Sequence, residues 1–306
     1  MPGNYWKTNA GINCDSEVKN EEFKLRFKYG ITCALEELPL TQPVALRGSI
    51  DDVCAIAKDF GYEGIELHIR DPGRYSAEQI RKTVDDYGLG VCAVANGMEY
   101  TAGGLSLIDD NEGKRDDALK RIMEHADFAS VLNARLIVGI MRGNIPRGAD
   151  AGKYLGYFSE ALGKICDYAG KKHIEVVLES ILRYINNYLC GVRETMDFIT
   201  SLGRKELSLH IDTHSMAIEE RNLKESILYC RGKALGYVHY SDNNRYYPGG
   251  GALDFIEITR TLFEIGYKGF ITMECLPWPS AEECARRALV YMKSIERIVD
   301  IENELE

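Results

Sequence analysis

The stretch Leu207-Ser208-Leu209-His210-Ile211-Asp212 is a short, mainly apolar segment that ends in a carboxylate. Such a segment is typical of a buried β-strand. Three further segments share its pattern, since each runs through branched apolar residues and closes with an acidic or histidine residue. They are Ile174–Glu179, Gly236–Tyr240 with His239 as its polar residue, and Phe270–Glu274. The sequence therefore predicts four consecutive strands with polar side chains at their ends.

The same kind of apolar segment recurs along the chain at intervals of about 27 to 44 residues, and a longer amphipathic stretch follows each one. This spacing leaves room for one helix and two loops per unit, as parallel strands with crossover connections require. The predicted strands are Phe27–Thr32, Gly64–His68, Val91–Ala95, Arg135–Ile140, Ile174–Glu179, Leu207–Asp212, Gly236–Tyr240 and Phe270–Glu274. The predicted helices are Ser49–Phe60, Ser76–Tyr87, Arg115–Leu132, Lys153–Ala169, Gly191–Leu202, Leu223–Arg231, Ala252–Ile265 and Ala281–Ile301.

Eight alternating strand and helix units predict an α/β protein with the fold of a (β/α)8 TIM barrel. A doubly wound sheet is the alternative, but the phosphate-binding Gly-x-Gly-x-x-Gly of that fold does not follow the first predicted strand. No Pro- or Ser-rich linker divides the middle of the 306-residue chain. We therefore expect residues 23–306 to form a single barrel domain and residues 1–22 to form an N-terminal arm.

The charge balance argues against two classes of partner. The chain has 47 acidic and 37 basic residues, a formal net charge of -10, which disfavours binding to nucleic acid or to an anionic membrane. No apolar run approaches the roughly 20 residues that span a bilayer, and the first residues are unlike a secretory signal. Nine cysteines, an odd number without a Cys-x-x-Cys pair, are typical of reduced, buried thiols. The sequence thus predicts a cytoplasmic protein.

Glu179, Asp212, His239 and Glu274 close the four strands described first. The carboxyl ends of barrel strands meet at one face, where the active sites of such barrels lie. A single carboxylate after a buried strand is more often a helix N-cap or part of a salt bridge, but four polar ends on consecutive strands indicate one metal site. Three carboxylates and one imidazole suit a hard or borderline divalent ion, Mn²⁺ first, with Mg²⁺ or Co²⁺ as alternatives.

Four more residues are candidates for substrate contact. His210 and His214 stand two positions on either side of Asp212 and share its face if the strand continues. For both, metal ligation and a supporting contact behind the metal ligands are the alternatives. Glu66 and His68 share a face of the second predicted strand in the same way, where a structural role is the equal alternative.

The loop after the seventh predicted strand is rich in hydrogen-bonding groups and contains Arg245 and the run Pro248-Gly249-Gly250-Gly251. Glycine-rich backbone can approach a polyol or a phosphate closely. A purely structural turn explains the glycines, but it explains Arg245 less easily. The residues alone therefore leave the role of Arg245 open.

Several of these motifs together resemble those of a known family. The motifs are Leu178-Glu179, Ile211-Asp212-Thr213, His239 with Asn244-Arg245, and Met273-Glu274. In this combination the chain resembles the xylose-isomerase-like TIM barrels, the sugar (phosphate) isomerase/epimerase superfamily, and most closely its ketose 3-epimerases. The resemblance covers about residues 27–300. It implies that the four strand-end residues bind one divalent metal ion and that Arg245 contacts the substrate.

Two positions depart from the 3-epimerase pattern. Those enzymes carry a glutamate six residues after the first metal-binding glutamate, where this chain has Ile185. They also carry a histidine three residues after the metal-binding aspartate, where this chain has Ser215. Both family residues bind the sugar near its reacting carbons. The resemblance therefore implies metal binding rather than one particular sugar.

The resemblance implies a metal-dependent isomerase or epimerase of a ketose or keto-sugar. Such an enzyme removes the proton next to a carbonyl through a metal-stabilised enediolate, and Glu179 and Glu274 would exchange that proton. Three alternatives stay open. They are β-elimination from a keto-sugar, as in C-glycoside-cleaving enzymes of this superfamily, metal-assisted hydrolysis, as in endonuclease IV, and a non-catalytic sugar-binding barrel. The expected partner is a small sugar, and we expect a homo-oligomer or an assembly with a different subunit.

Overall fold

The computed structural model describes residues 26–305. The predicted arm, residues 1–22, lies outside this range, so the arm and the domain limits 23–306 stay predictions. Within the described range, nine β-strands form one sheet. They are β1 (Lys28–Ala34), β2 (Leu46–Arg47), β3 (Gly64–His68), β4 (Gly90–Ala95), β5 (Arg135–Val138), β6 (Val176–Glu179), β7 (Leu207–Asp212), β8 (Leu235–Tyr240) and β9 (Phe270–Met273).

The sheet closes on itself. Strands β3 to β9 pair in chain order, and β1 pairs in parallel with β3 on one side and with β9 on the other. At the closure, Lys28 lies opposite Phe270 and Ile31 lies opposite Met273. The prediction of an eight-stranded barrel, built from β1 and β3 to β9, is therefore confirmed. The two-residue strand β2, which the sequence pattern does not predict, pairs with the end of β1.

Ten α-helices in the described part of the chain surround or cap the barrel. They are α1 (Ile50–Phe60), α2 (Ala77–Asp86), α3 (Met98–Gly103), α4 (Glu112–Leu132), α5 (Ala151–Lys171), α6 (Val192–Leu202), α7 (Thr213–Glu219), α8 (Leu223–Tyr229), α9 (Phe255–Glu264) and α10 (Ala281–Leu305). Eight of them match predicted helices, and α3 and α7 are additional. None of these helices has the length and hydropathy of a membrane span.

Three strands are shorter than predicted: β9 ends one residue early, at Met273, and the backbone explains the other two. Ile174 belongs to the turn after α5, because His173 adopts a left-handed φ of 58° and the Ile174 N–H donates to the carbonyl of Ala169. β6 therefore begins two residues later. β5 ends early because Gly139 leads the chain into a short 3₁₀-helix, Ile140–Arg142.

The barrel interior changes from apolar to polar along its axis. Its apolar part includes the side chains of Cys92, Val177 and Tyr237, whereas the larger core lies between the strands and the helices. Gly30 makes this packing possible, since a Cβ there would lie 2.6 Å from Sγ of Cys92. Tyr237 marks the change, because its hydroxyl donates to the carboxylate of Glu66 at 2.7 Å. The polar interior side chains therefore lie toward the carboxyl ends of the strands.

Candidate active site

Four polar side chains converge at the carboxyl-terminal face of the barrel. Glu179 ends β6, Asp212 ends β7, His239 lies in β8 and Glu274 directly follows β9. One potential ligand atom from each residue lies within 4.8 Å of the others. The parallel register explains this, since it sets Asp212 opposite His239 on neighbouring strands. The structure thus brings together the four residues that the sequence predicts as metal ligands, and their binding of an ion stays a prediction.

A buried carboxylate orients His239. Glu66, fully buried on β3, accepts a hydrogen bond of 2.7 Å from Nε2 of His239. It also accepts bonds from the Tyr237 hydroxyl at 2.7 Å and from Nε2 of His68 at 2.8 Å. Burial alone would raise the pKa of Glu66, but the positive charge of His239 and the two histidine hydrogen bonds hold it below its usual value. Glu66 is therefore ionised, and Nε2 of His239 carries a proton.

The other ring nitrogen of His239 faces the carboxylates. Its Nδ1 is buried without a hydrogen-bond partner in residues 26–305. It lies 3.3 Å from Oε2 of Glu274 and 3.9 Å from Oδ2 of Asp212. Burial alone would lower the pKa of His239, but the negative charges of Glu66 and Glu274 raise it well above its usual value. A cation at this position would therefore compete with a proton for Nδ1.

Arg245 balances part of the negative charge. Its guanidinium donates to the carboxylates of Asp212 and Glu274 and, at 2.9 Å, to Oγ of Ser241. Burial alone would raise the pKa of Asp212, but Arg245 and His239 hold it below its usual value. The backbone of Arg245 has a left-handed φ of 64°, which is uncommon for a residue other than glycine. The loop therefore adopts an unusual backbone conformation, in which the guanidinium of Arg245 reaches the carboxylates of Asp212 and Glu274.

Glu179 differs from the other two carboxylates. Its side chain makes no hydrogen bond within the described residues, while its main-chain carbonyl accepts one from the buried guanidinium of Arg142 at 2.8 Å. Burial and the negative charge of Glu274 raise the pKa of Glu179 to about 8. A carboxyl group with this pKa can gain or lose a proton near neutral pH.

The chemistry of the donor atoms fits a divalent cation. Nδ1 of His239 and the carboxylate of Glu179 have no hydrogen-bond partner in the part of the chain that the structure describes. With the oxygens of Asp212 and Glu274 they form a set of three oxygen ligands and one nitrogen ligand. Such a set suits Mn²⁺, Mg²⁺ or Co²⁺ rather than an ion that prefers sulfur.

A cavity of about 460 Å³ opens beside these residues. Four of the predicted substrate-contact residues line it, namely Arg245, His214, His68 and Glu66. Ile185 and Ser215, the two positions that depart from the 3-epimerase pattern, line it as well. Both substitutions therefore alter the lining of this cavity.

His210 and Glu66 occupy places that differ from those expected of substrate contacts. His210 is fully buried behind His239, with the two ring centroids 4.1 Å apart, and it does not line the cavity. Both of its ring nitrogens lack a hydrogen-bond partner in residues 26–305, and one of them lies within 4.8 Å of potential ligand atoms of Glu179 and His239, so its contact with substrate stays a prediction. Glu66 borders the cavity, but hydrogen bonds from His239, Tyr237 and His68 already engage both of its oxygens. The carboxylate of Glu66 therefore holds these neighbouring side chains in place.

His214 reaches the cavity by a different route from the one expected. The strand ends at Asp212, whose carboxylate accepts the Ser215 N–H at 2.8 Å and so begins α7. His214 therefore lies in the first turn of a helix, and the alternation of a strand does not apply to it. Its Nδ1 contacts the carbonyl of Asn243 at 3.0 Å.

Asn96 is a cavity residue that the predicted site does not include. It follows β4, and its Nδ2 donates to the carbonyl of Ile137 at 2.9 Å. This bond leaves the buried Oδ1 without a partner in residues 26–305. The signal that identifies Glu179, a polar residue at the end of an apolar strand, applies equally to Asn96.

The glycine-rich loop after β8 is a structural turn. Asp242, fully buried, accepts hydrogen bonds from the N–H groups of Asn243, Gly249, Gly251 and Leu253 at 2.9–3.0 Å. The glycine amides therefore hold a side chain of the same loop and do not line the cavity, which corrects the expectation that this backbone binds a ligand.

Comparison with known proteins adds independent findings. The model of the family described as xylose isomerase-like TIM barrel matches residues 54–295. An L-ribulose 3-epimerase of Methylomonas sp. is 27% identical over 259 residues, which cover 76% of this chain and 87% of that protein. A 3-dehydro-D-guloside 4-epimerase of Escherichia coli is 26% identical over 230 residues, which cover 71% and 83% of the respective chains. A solved structure of an L-ribulose 3-epimerase superimposes with a TM-score of 0.80 at 21% identity, covering 91% of this chain and 97% of that one.

Proposed function

Because the chain belongs to the xylose isomerase-like TIM barrel family, we propose that it is a metal-dependent epimerase of a ketose or keto-sugar. The similar proteins named above are epimerases, which are isomerases. The observation that carries the proposal is the position of Glu179 and Glu274. The two carboxylates come from different strands and border one cavity. Groups on two sides of a carbon can remove a proton and return one to the opposite face, which inverts that carbon.

Four residues would hold the cation: Glu179, Asp212, His239 through Nδ1, and Glu274. We propose Mn²⁺ as the ion, with Mg²⁺ and Co²⁺ as alternatives. When bound, such an ion withdraws electron density from the carbonyl and a neighbouring hydroxyl oxygen of the sugar, which makes the adjacent C–H proton more acidic.

The side chains of this protein move the proton. Glu274, whose carboxylate accepts a hydrogen bond from Arg245, accepts the proton from one face of the sugar carbon. Glu179, whose pKa of about 8 allows it to carry a proton near neutral pH, donates that proton to the other face, and the roles exchange in the reverse direction. Arg245 holds Glu274 through its hydrogen bond. It also places a positive charge near the negative charge that develops on the sugar oxygens.

Deuterium exchange tests the proposal directly. We expect the Mn²⁺-loaded protein, incubated in D₂O with ketoses, inososes and 3-keto-glycosides, to place deuterium on one carbon next to the carbonyl of its substrate and to form the epimer. NMR identifies both the carbon and the product. Chelation should stop the exchange, and added Mn²⁺ should restore it, because the ion acidifies that proton.

Products other than an epimer distinguish between the alternative functions. Release of an aglycone from the keto-glycosides indicates β-elimination, which begins with the same proton transfer. The absence of exchange with every sugar of the panel contradicts the proposal and favours the hydrolase or the sugar-binding barrel. Cytoplasmic location and a homo-oligomer or mixed assembly stay predictions, which fractionation and light scattering test.

The space around Glu179 offers a further test. A Cβ at Gly139 would lie 2.8 Å from Oε2 of Glu179. In Gly139→Ala we expect the carboxylate to move away and turnover to fall by roughly 10²-fold, since a misplacement of about 1 Å can cost that much. The melting temperature should change little, because the displaced atom ends a flexible side chain. Gly156→Ala, on α5 with open space around its Cβ, is the control, and an unchanged rate in Gly139→Ala contradicts the role of Glu179.

A further inference from the structure

An arginine beside the site is buried without a counter-ion. Arg142 lies in the short 3₁₀-helix after β5 and is the largest of the fully buried side chains in residues 26–305. Its guanidinium forms no ion pair with a described residue, and its Nε and Nη2 have no hydrogen-bond partner among those residues. Burying a charged group without such partners costs free energy. The stability of the fold therefore gives no reason for a charge at this position.

The hydrogen bond that the guanidinium does make leads to the site. Nη1 of Arg142 donates to the main-chain carbonyl of Glu179 at 2.8 Å. Glu179 is the last residue of β6, so this bond fixes the backbone from which its carboxyl group extends. The carboxyl group itself makes no hydrogen bond within the described residues, and its position therefore depends on its backbone and on packing. Arg142 does not line the cavity, so any effect on a substrate passes through Glu179.

The turn that carries Arg142 contacts Glu179 at a second point. Gly139 begins this turn, and a Cβ there would lie 2.8 Å from Oε2 of Glu179. Gly143 ends the turn with a left-handed φ of 80°, and a Cβ there would lie 1.9 Å from Oγ of Ser106. Residues 139–143 are thus confined to one path. That path sets the space for the carboxyl group of Glu179 and brings the guanidinium to its carbonyl.

Two neutral hydrogen bonds already hold this turn against the connection after β6. Nδ2 of Asn186 donates to the carbonyl of Gly143 at 2.8 Å, and the hydroxyl of Tyr188 donates to the carbonyl of Arg142 at 2.9 Å. Cζ of Arg142 lies 5.4 Å from the centroid of the Tyr188 ring, the distance of a cation–π contact. The two connections are therefore joined without the guanidinium, and its charge is not needed for that purpose.

Building on the proposed function, we propose that Arg142 is a positioning residue for Glu179. Its guanidinium holds the end of β6 and so directs the carboxyl group of Glu179 toward the cation and the reacting carbon. Catalytic groups have to be held within about 0.5 Å of their productive position by the residues around them. The protein loses stability by keeping this charge buried, an exchange that is common at functional sites.

The variant Arg142→Met separates positioning from a structural role. Methionine fills much of the same space but cannot donate to the carbonyl of Glu179. We expect kcat for deuterium exchange to fall by roughly 10²-fold, since a misplacement of about 1 Å can cost that much. KM should stay unchanged, because Arg142 does not line the cavity. The melting temperature should stay the same or rise, because the change removes a buried charge.

The variant Arg81→Met is the matched control. Nη1 of Arg81, on α2, also donates to a main-chain carbonyl, that of Val131 at 2.9 Å, and Arg81 does not line the cavity. We expect this variant to keep the wild-type kcat and KM.

Calorimetric titration with Mn²⁺ adds a measurement that does not depend on turnover. Arg142→Met should bind the ion roughly tenfold more weakly, as is typical when a residue that orients a ligand is changed. Arg81→Met should bind the ion as tightly as the wild-type protein does.

Several outcomes would overturn the role of Arg142. A variant Arg142→Met that fails to fold, or that melts well below the wild-type protein, assigns the arginine to structure. An unchanged kcat, an unchanged Mn²⁺ affinity or an equal loss in Arg81→Met also overturns the proposal.

The inference can fail or hold separately from the proposed function. If the wild-type protein exchanges no sugar, the epimerase proposal fails, and crystal structures of the wild type and of Arg142→Met still decide the role of Arg142. A shift of the Glu179 carboxyl group by more than about 0.5 Å supports positioning, and a smaller shift overturns it.

Discussion

In Glu179→Gln we expect proton exchange to fall by as much as roughly 10⁴-fold, because an amide can neither donate nor accept the proton that the carboxyl group exchanges with the substrate. The fold should persist, since the Glu179 side chain makes no hydrogen bond within residues 26–305 and glutamine has nearly the same shape. Deuterium incorporation measured by NMR gives the rate, and thermal unfolding gives the stability.

Glu274→Gln should lower the rate to a similar degree, since the proposed mechanism needs a carboxyl group on each side of the carbon. Glu282→Gln, which changes an exposed glutamate at the start of α10, is the matched control for loss of one negative charge. Activity near that of the wild type in either active-site variant contradicts the two-carboxylate mechanism.

In Glu66→Gln we expect Mn²⁺ to bind roughly 10- to 100-fold more weakly, as is typical when a residue that orients a ligating histidine is changed. The carboxylate of Glu66 accepts the proton on Nε2 of His239 and so leaves Nδ1 free for a cation. A glutamine can donate to Nε2 instead, which allows the proton to move to Nδ1, the atom that should bind the ion. Calorimetric titration with Mn²⁺ measures this without reference to turnover.

Tyr237→Phe is the control variant for Glu66→Gln. It removes a second hydrogen bond to Glu66 and leaves the bond to His239, so we expect a smaller loss of Mn²⁺ affinity. The prediction is wrong if Glu66→Gln binds Mn²⁺ within twofold of the wild-type protein at an unchanged melting temperature.

The barrel strands and their polar ends were predictable because the signal is local. An apolar run closed by a carboxylate marks both the strand and its functional end, as β7 and Asp212 show. The short elements were not predictable in the same way. The helix α7 begins on a hydrogen bond from Ser215 to Asp212, and the apolar pattern does not reveal where one strand residue becomes a helix cap. Because of this cap, His214 lies in a helix rather than on the predicted strand.

The hydrogen bond that orients His239 was not predictable, because it joins residues that are far apart in the chain. Glu66 and His239 are separated by 173 positions, and no spacing rule connects them. His210 illustrates the same limit, since its place on the strand is correct, whereas its packing against the ring of His239 depends on the neighbouring strand. Inside a closed barrel, some neighbours of a side chain come from the strand on the opposite side of the barrel.

The turn held by Asp242 has a consequence for discrimination between metabolites. A phosphate ester that approached this loop would have to displace a buried carboxylate that already binds four backbone amides. Helix termini and glycine loops in other barrels offer such amides to phosphate, whereas here the protein itself neutralises them. These four amides of the connection are therefore not available to anchor a phosphate group.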